Sequence, residues 1–227
     1  MVIFTENDLT CQKPRRRLYS RKHMADEFQL VAGHLALDFA NTLDYRYDPD
    51  RLIDLLPNYE RFLAFCRQSG VITAAQMRRL LDGLTGFDSQ RVLKDVIELR
   101  EALYFLILSA VHGRSPDESH LRALNRFLSE ARTVDEVVWH KRRFVRSFRD
   151  ITERPDGPLR QIVDAAVDLI TSSDLYNIGE CSEKTCRWLF LDRSRNHSRR
   201  WCDMQLCGNR SKARRFYART RNDVMYR

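Results

Sequence analysis

Residues 181–210 of this 227-residue chain read CSEKTCRWLFLDRSRNHSRRWCDMQLCGNR and decide the fold of its C-terminal part. The stretch contains two cysteine pairs, Cys181 with Cys186 and Cys202 with Cys207, each with four intervening residues. Zn²⁺ prefers four tetrahedral soft ligands, and two short cysteine pairs on either side of a hairpin-length insert supply them. We therefore predict one structural Zn²⁺ held by these four thiolates.

The alternatives to zinc are two disulfides or four unrelated buried thiols. No secretory signal is recognisable, so we expect the cysteines in a reducing cytosol, where clustered thiols bind metal more often than they form disulfides. A charged segment of about 47 residues also has too little core to fold without a metal or a bridge. Both arguments favour zinc.

The residues around the cysteines predict a treble-clef-like finger made of a β-hairpin and a helix. The pattern favours a strand at Trp188–Leu191, a turn at Arg193–Ser198 and a returning strand at Arg199–Cys202. From Gly208 onward it favours a helix.

The net charge of the chain changes at about residue 180. Residues 181–227 carry 13 Lys and Arg against four Asp and Glu, a net charge of 13 − 4 = +9, whereas residues 1–180 carry 26 against 27, a net charge of −1. The excess therefore lies in the finger, as expected of an anion-binding module. We predict a flexible basic extension at 1–23, a helical domain at 24–178 and the finger at 179–227. Translation could start at Met1 or at Met24.

The helix that follows Cys207 has a pattern suited to a DNA groove. On a helical wheel, Asn209, Ala213, Phe216 and Thr220 share an arc that we expect to face the hairpin. Cations border the opposite arc, which is the arrangement of a recognition helix in the major groove. The predicted nucleic-acid-binding residues of the helix and the preceding loop are Arg193, Arg195, Arg199, Arg200, Arg210, Ser211, Lys212, Arg214, Arg215, Arg219 and Arg221.

Two other partners remain open for the finger. RNA is the runner-up to duplex DNA, because Tyr217, Trp188 and Trp201 could stack on splayed bases. The third possibility is a protein-interaction module in which the zinc is purely structural.

The remainder of the chain is predicted to be mainly α-helical. Apolar residues recur at helical spacing in six segments, at 34–43, 57–69, 73–84, 89–112, 117–131 and 158–170. One segment departs from this period, since Glu136–His140 and Arg142–Asp150 are rich in β-branched and aromatic residues and predict a hairpin. The expected fold class is therefore mainly α, with a short hairpin in the helical domain and a C-terminal zinc finger.

Five polar residues of the helical domain have two interpretations. Asp38, Asn41, Thr42, Arg100 and Asn125 could line a pocket for a small-molecule effector, which would make this domain a sensor. They could equally form a capping and salt-bridge network between helices, and we favour this second interpretation.

Several functional classes are excluded by what the sequence lacks. No stretch approaches the ~20 apolar residues that span a bilayer, so we expect no membrane association. No Ser/His/Asp elbow, HExxH motif, P-loop or GxGxxG occurs, and four thiolates leave zinc no open position for a substrate water, so we expect no enzyme. Homodimerisation would suit a regulator, but no pattern in the sequence supports it.

The same residues resemble a known family. Cys186–Asn196, Arg200–Met204 and Cys207–Arg210 resemble the CGNR zinc finger, and Gly33–Thr42 and Leu99–Leu103 resemble the helical ABATE domain that accompanies it. The resemblance covers roughly residues 27–221. It implies a bacterial, cytoplasmic, stress-responsive transcription regulator whose four cysteines bind zinc.

Overall fold

The computed structural model describes residues 27–83, 86–132, 135–140, 142–148, 151–214 and 216–217. The extension predicted at 1–23 lies outside these residues. The helices are α1 (Leu35–Ala40), α2 (Tyr59–Gln68), α3 (Ala74–Asp82), α4 (Gly86–Val111), α5 (Glu118–Arg132) and α6 (Gly157–Thr171). The strands are β1 (Leu43–Asp44), β2 (Ile53–Asp54), β3 (Asp135–His140), β4 (Arg143–Phe148), β5 (Ile178–Glu180) and β6 (Leu189–Leu191). They pair in sequence order as three two-stranded antiparallel sheets.

The predicted mainly α-helical fold is confirmed. Local capping sets several of the helix starts: the Asn58 side chain accepts a hydrogen bond from the Arg61 amide at 2.9 Å, and Thr73 and Gln76 form a reciprocal capping box. No helix in the described ranges is both long and apolar enough to cross a bilayer.

Helix α4 is the centre of the helical core. Its inward residues are fully buried and recur on one stripe, at Val92, Val96, Leu99, Leu103 and Ile107. Helices α1, α2, α5 and α6 pack around it, and β5 also contacts it. Burial of this stripe accounts for the length of α4, because each turn of the helix contributes to the same core.

Strand β6 belongs to two hydrophobic clusters at once. Leu189 and Leu191 pack in the helical core, whereas Trp188 and Phe190 pack around the cysteines. Side chains alternate between the two faces of a strand, so this four-residue run joins the clusters directly. The helical domain and the finger therefore form one continuous packing unit.

The two hairpins predicted from sequence have different outcomes. The hairpin of the helical domain is confirmed, with β3 and β4 paired from Asp135 opposite Phe148 to His140 opposite Arg143. In the finger, the prediction of a returning strand at Arg199–Cys202 is wrong, because β6 pairs with β5 instead.

The other edge of β6 is already occupied, which explains this difference. The Leu191 amide donates to the Ala32 carbonyl at 2.8 Å. The amide and carbonyl of Leu189 both bond to the side chain of Asn41. The helical domain thus takes the edge that a strand at Arg199–Cys202 would have used.

Candidate metal centre and nucleic-acid interface

The four predicted ligands, Cys181, Cys186, Cys202 and Cys207, are buried and lie together. Their sulfur atoms are all within 4.8 Å of one another, and the Cys186–Cys202 and Cys202–Cys207 sulfur pairs are each 3.6 Å apart. Tetrahedral zinc with Zn–S bonds near 2.3 Å needs sulfur atoms about 3.8 Å apart. None of the four forms a disulfide. The cluster can therefore bind one zinc ion.

Tight turns place each pair of cysteines. In the first, the Glu183 carbonyl accepts hydrogen bonds from the amides of Cys186 and Arg187, at 2.9 and 3.2 Å. In the second, Asp203 accepts from the Leu206 amide through its side chain and from the Cys207 amide through its carbonyl, at 2.8 and 3.0 Å. These bonds fix the spacing of the thiols without help from a returning strand.

The thiols influence one another's protonation. Hydrogen bonds from its three neighbours, with Cys186 foremost, hold the pKa of the Cys181 thiol well below its ordinary value. The contacts with Cys181 raise the pKa of the Cys186 and Cys202 thiols, so these two thiols must release protons when the cluster binds zinc as thiolates.

Hydrogen bonds from buried side chains attach the helical domain to the finger. The Asn41 side chain donates to the Leu189 carbonyl at 2.8 Å and accepts from the Leu189 amide at 2.9 Å. The Tyr104 hydroxyl donates to the Arg187 carbonyl at 3.0 Å, directly after the second cysteine. The orientation of the finger is therefore set by the helices.

The polar residues predicted as a pocket or a network are engaged separately. Asp38 accepts from the Ala32 amide at 2.9 Å, and burial raises the pKa of Asp38 to about 6. Thr42 donates to the Phe39 carbonyl at 2.7 Å. Each bond is local, so these two residues stabilise the ends of α1.

Arg100 and Asn125 lie away from Asp38. The buried Arg100 guanidinium pairs with Asp54 at 2.7 Å and Glu101 at 2.9 Å, rather than with Asp38. Asn125 is exposed on α5. A shallow cavity in the described chain has other lining residues, among them Phe127 and Leu159. The structure thus does not bring the five predicted residues together.

Arginines of the loop between β6 and Cys202 divide into two groups. Arg193, Arg195 and Arg200 are exposed, on a loop that Asp192 holds by accepting from the Ser194 and Arg199 amides at 2.8 Å each. Arg200 lies 5.4 Å from the centre of the Trp201 ring, and the exposure of all three residues makes them accessible to an anionic partner.

Arg199 has a structural role that the sequence does not predict. Its guanidinium donates to the carbonyls of Trp201 at 2.9 Å, of Val31 at 3.1 Å and of Cys202, and it lies 4.5 Å from the centre of the Phe190 ring. These carbonyls accept from the guanidinium N–H groups of Arg199, which are the same donors that would bind a phosphate. Arg199 therefore holds the finger to the helical domain, and its contact with nucleic acid stays a prediction.

The C-terminal helix is described at residues 209–214 and 216–217, after a π-helical turn at Met204–Gly208. Arg210 and Lys212 are exposed and Ser211 is partly exposed. Arg214 is also exposed but forms an ion pair with the buried Glu183. The predicted contacts Arg215, Arg219 and Arg221 lie outside the described residues.

The inner face predicted for this helix is wrong. Asn209 and Ala213 are exposed, and Phe216 is 64% exposed, so these residues do not pack on the hairpin. The reason is that β6 is enclosed by the helical core on one face and by the cysteine cluster on the other. Polar contacts hold the helix instead, namely the Glu183–Arg214 ion pair and a 3.1 Å bond from Arg210 to the Tyr45 hydroxyl.

Sequence reasoning missed Glu183 and Tyr45. Glu183 lies inside the first cysteine pair, but its neighbours Ser182 and Lys184 are exposed, so this position alone does not predict the burial of Glu183. Tyr45 lies 165 residues from its partner Arg210, and no local pattern marks it.

Two family models match the chain in consecutive segments. The ABATE model, whose description is "putative stress-induced transcription regulator", matches residues 33–173. The CGNR zinc finger model matches residues 177–220. Neither describes an enzyme family. No curated protein matches the sequence.

Proposed function

We propose that this chain, which belongs to the ABATE family and carries a CGNR zinc finger, is a zinc-dependent transcription regulator that binds duplex DNA through the finger. The observation that carries the proposal is the position of the exposed cations. They occupy two segments, the 192–200 loop and the start of the C-terminal helix, which directly precede Cys202 and follow Cys207. Metal binding by these cysteines would therefore bring the two basic segments together.

The two segments would have different roles on DNA. Arg193, Arg195 and Arg200 would bind phosphates and set the register of the finger. Ser211, between Arg210 and Lys212, would reach base edges in the major groove. Phosphate contacts make affinity salt-dependent, so about six of them should give a log–log slope near −5.

We propose that the helical domain acts as a sensor or interaction module. Asn41 and Tyr104 connect α1 and α4 directly to the backbone beside the cysteines. A ligand or partner that shifted these helices would therefore reorient the basic surface. This would couple binding at the helical domain to binding at the finger. The expected location is the bacterial nucleoid.

RNA remains the second candidate because aromatic rings are exposed near the cations. Phe216 and Tyr217 are 64% and 69% exposed, with ring centroids 5.7 Å apart. Trp188, by contrast, is buried and takes no part in base stacking. Affinities for duplex DNA, single-stranded DNA and structured RNA, measured at one salt concentration, separate the two candidates.

Genome-wide mapping of bound sites tests the proposal. The wild-type chain should occupy discrete sites, and Cys202→Ser should lose them, because three ligands cannot complete the tetrahedral site. Cys66→Ala is the matched control, since Cys66 is buried in α2 and lies outside the cluster. Unchanged occupancy in Cys202→Ser would refute a metal-built DNA-binding surface.

A further inference from the structure

The hairpin of β3 and β4 carries a second concentration of positive charge. Residues 140–149 read HKRRFVRSFR, which is five Lys and Arg with no Asp or Glu. The helical domain as a whole, residues 24–178, is net negative because acidic residues elsewhere outweigh this run. Arg142 and Arg143 are exposed at the tip.

Both faces of the hairpin tip are open to solvent. Trp139 lies opposite Phe144 in the register, so Trp139 and Arg143 face opposite sides of the ribbon. Trp139 is 63% exposed, and Arg143 is exposed as well. Each face of the tip therefore carries an accessible side chain.

The hairpin and the finger emerge near opposite ends of α4. His112, just after α4, bonds to Glu180 of β5 at 2.9 Å, which places the finger at the C-terminal end. Arg126 of α5 pairs with Asp95 and Glu98 in the first half of α4, at 3.7 and 2.9 Å. Helix α5 thus runs back along α4, and the hairpin follows it. A 26-residue helix is about 39 Å long.

We propose that the hairpin tip, formed by Trp139, Arg142 and Arg143, is a second contact surface for duplex DNA, separate from the finger. This inference rests on the function proposed above. A two-stranded ribbon fits the major groove, and arginines at its tip meet the phosphates on the groove walls. Complementary charge favours DNA over an apolar protein partner.

Fluorescence anisotropy with the full chain tests the second contact. The probes are duplexes of 10 and 30 base pairs of random sequence, of which the longer has more room for two separate contacts. The variant combines Arg142→Gly with Arg143→Gln, because Arg142 has a φ of +64° that glycine adopts without strain. The matched control is Arg67→Gln with Arg78→Gln, which removes two exposed arginines from α2 and α3.

The affinity of the hairpin variant for the longer duplex should depend less on salt than the affinity of wild type. Two fewer phosphate contacts reduce the log–log slope by about 2. The ratio of wild-type affinity to variant affinity should therefore be about 20-fold larger at 0.1 M than at 0.5 M salt. The ratio of affinities for the long and short duplexes should also fall in the hairpin variant and not in the control.

Three results would overturn the inference. The first is a hairpin variant that matches wild type on the longer duplex, which leaves DNA binding by the finger intact. The second is an equal loss in the Arg67 and Arg78 control, which would assign the effect to general charge. The third is a wild-type chain that binds neither duplex, in which case the proposed function fails as well.

Discussion

Asn41 should be the most sensitive single position for the attachment of the finger. Its side chain makes two buried bonds, at 2.8 and 2.9 Å, to the carbonyl and amide of Leu189 in β6. In Asn41→Ala both Leu189 groups lose their partner inside the protein. A buried unsatisfied polar group costs about 1–3 kcal/mol, so the substitution should lower the free energy of unfolding by about 2–6 kcal/mol.

A loss of this size is measurable because it is a large fraction of the stability of a domain, which is about 5–15 kcal/mol. For a chain of about 200 residues, 4 kcal/mol corresponds to a fall in Tm of about 8–16 °C. Urea denaturation gives the global value. Hydrogen exchange of the Leu189 amide reports the local effect, since this amide should lose protection beyond what global stability explains.

Asn125→Ala provides the control for Asn41→Ala. Asn125 is exposed on α5, and its substitution should change stability by no more than about 0.5 kcal/mol. If Asn41→Ala fell within the same range and left the exchange of the Leu189 amide unchanged, the two bonds would not hold the finger to the helical domain.

Three further predictions follow from the contacts of the site. The purified chain should contain one zinc ion by elemental analysis, and Cys202→Ser should contain none; retained metal would contradict the four-thiolate site. The pKa of Asp38 rises from 3.8 to about 6 on folding, so between these pH values the folded state binds a proton that the unfolded state lacks, and the free energy of unfolding should fall as pH rises. Asp38→Asn should lack this pH-dependent part of the stability. Urea midpoints that run parallel from pH 4 to 7 in both proteins would contradict the prediction. Arg214→Gln leaves the buried carboxylate of Glu183 without its cation and should cost about 1–3 kcal/mol in urea denaturation. Arg195→Gln, at an exposed position, should cost less than about 0.5 kcal/mol, and equal costs would assign Arg214 no structural role.

Much of the local structure could be predicted because it depends on short-range patterns. Apolar residues recur every three or four positions along α4 and α6. This spacing favours a helix whichever segments later pack against it. The β3–β4 hairpin follows likewise from a run of β-branched and aromatic residues. Errors arose where the partner of an element lies far away in sequence.

The roles of individual arginines show this limit most clearly. Arg199 and Arg200 are adjacent and chemically identical, yet Arg199 bonds to three backbone carbonyls whereas Arg200 is exposed. One of those carbonyls belongs to Val31, which is 168 residues away. Charge counting treats both residues as ligands for an anion, because it contains no information on which donors the protein itself uses.

The amino-acid sequence by itself determined the metal centre, since the spacing of Cys181, Cys186, Cys202 and Cys207 and the chemistry of thiolates suffice to indicate zinc. It also determined where positive charge accumulates along the chain. Only the tertiary structure decided that β6 pairs with β5 and that Asn41 occupies its other edge. The physical reason is that a strand edge accepts whichever hydrogen-bonding partner the packed core brings to it, and packing between distant segments is not a property of local sequence.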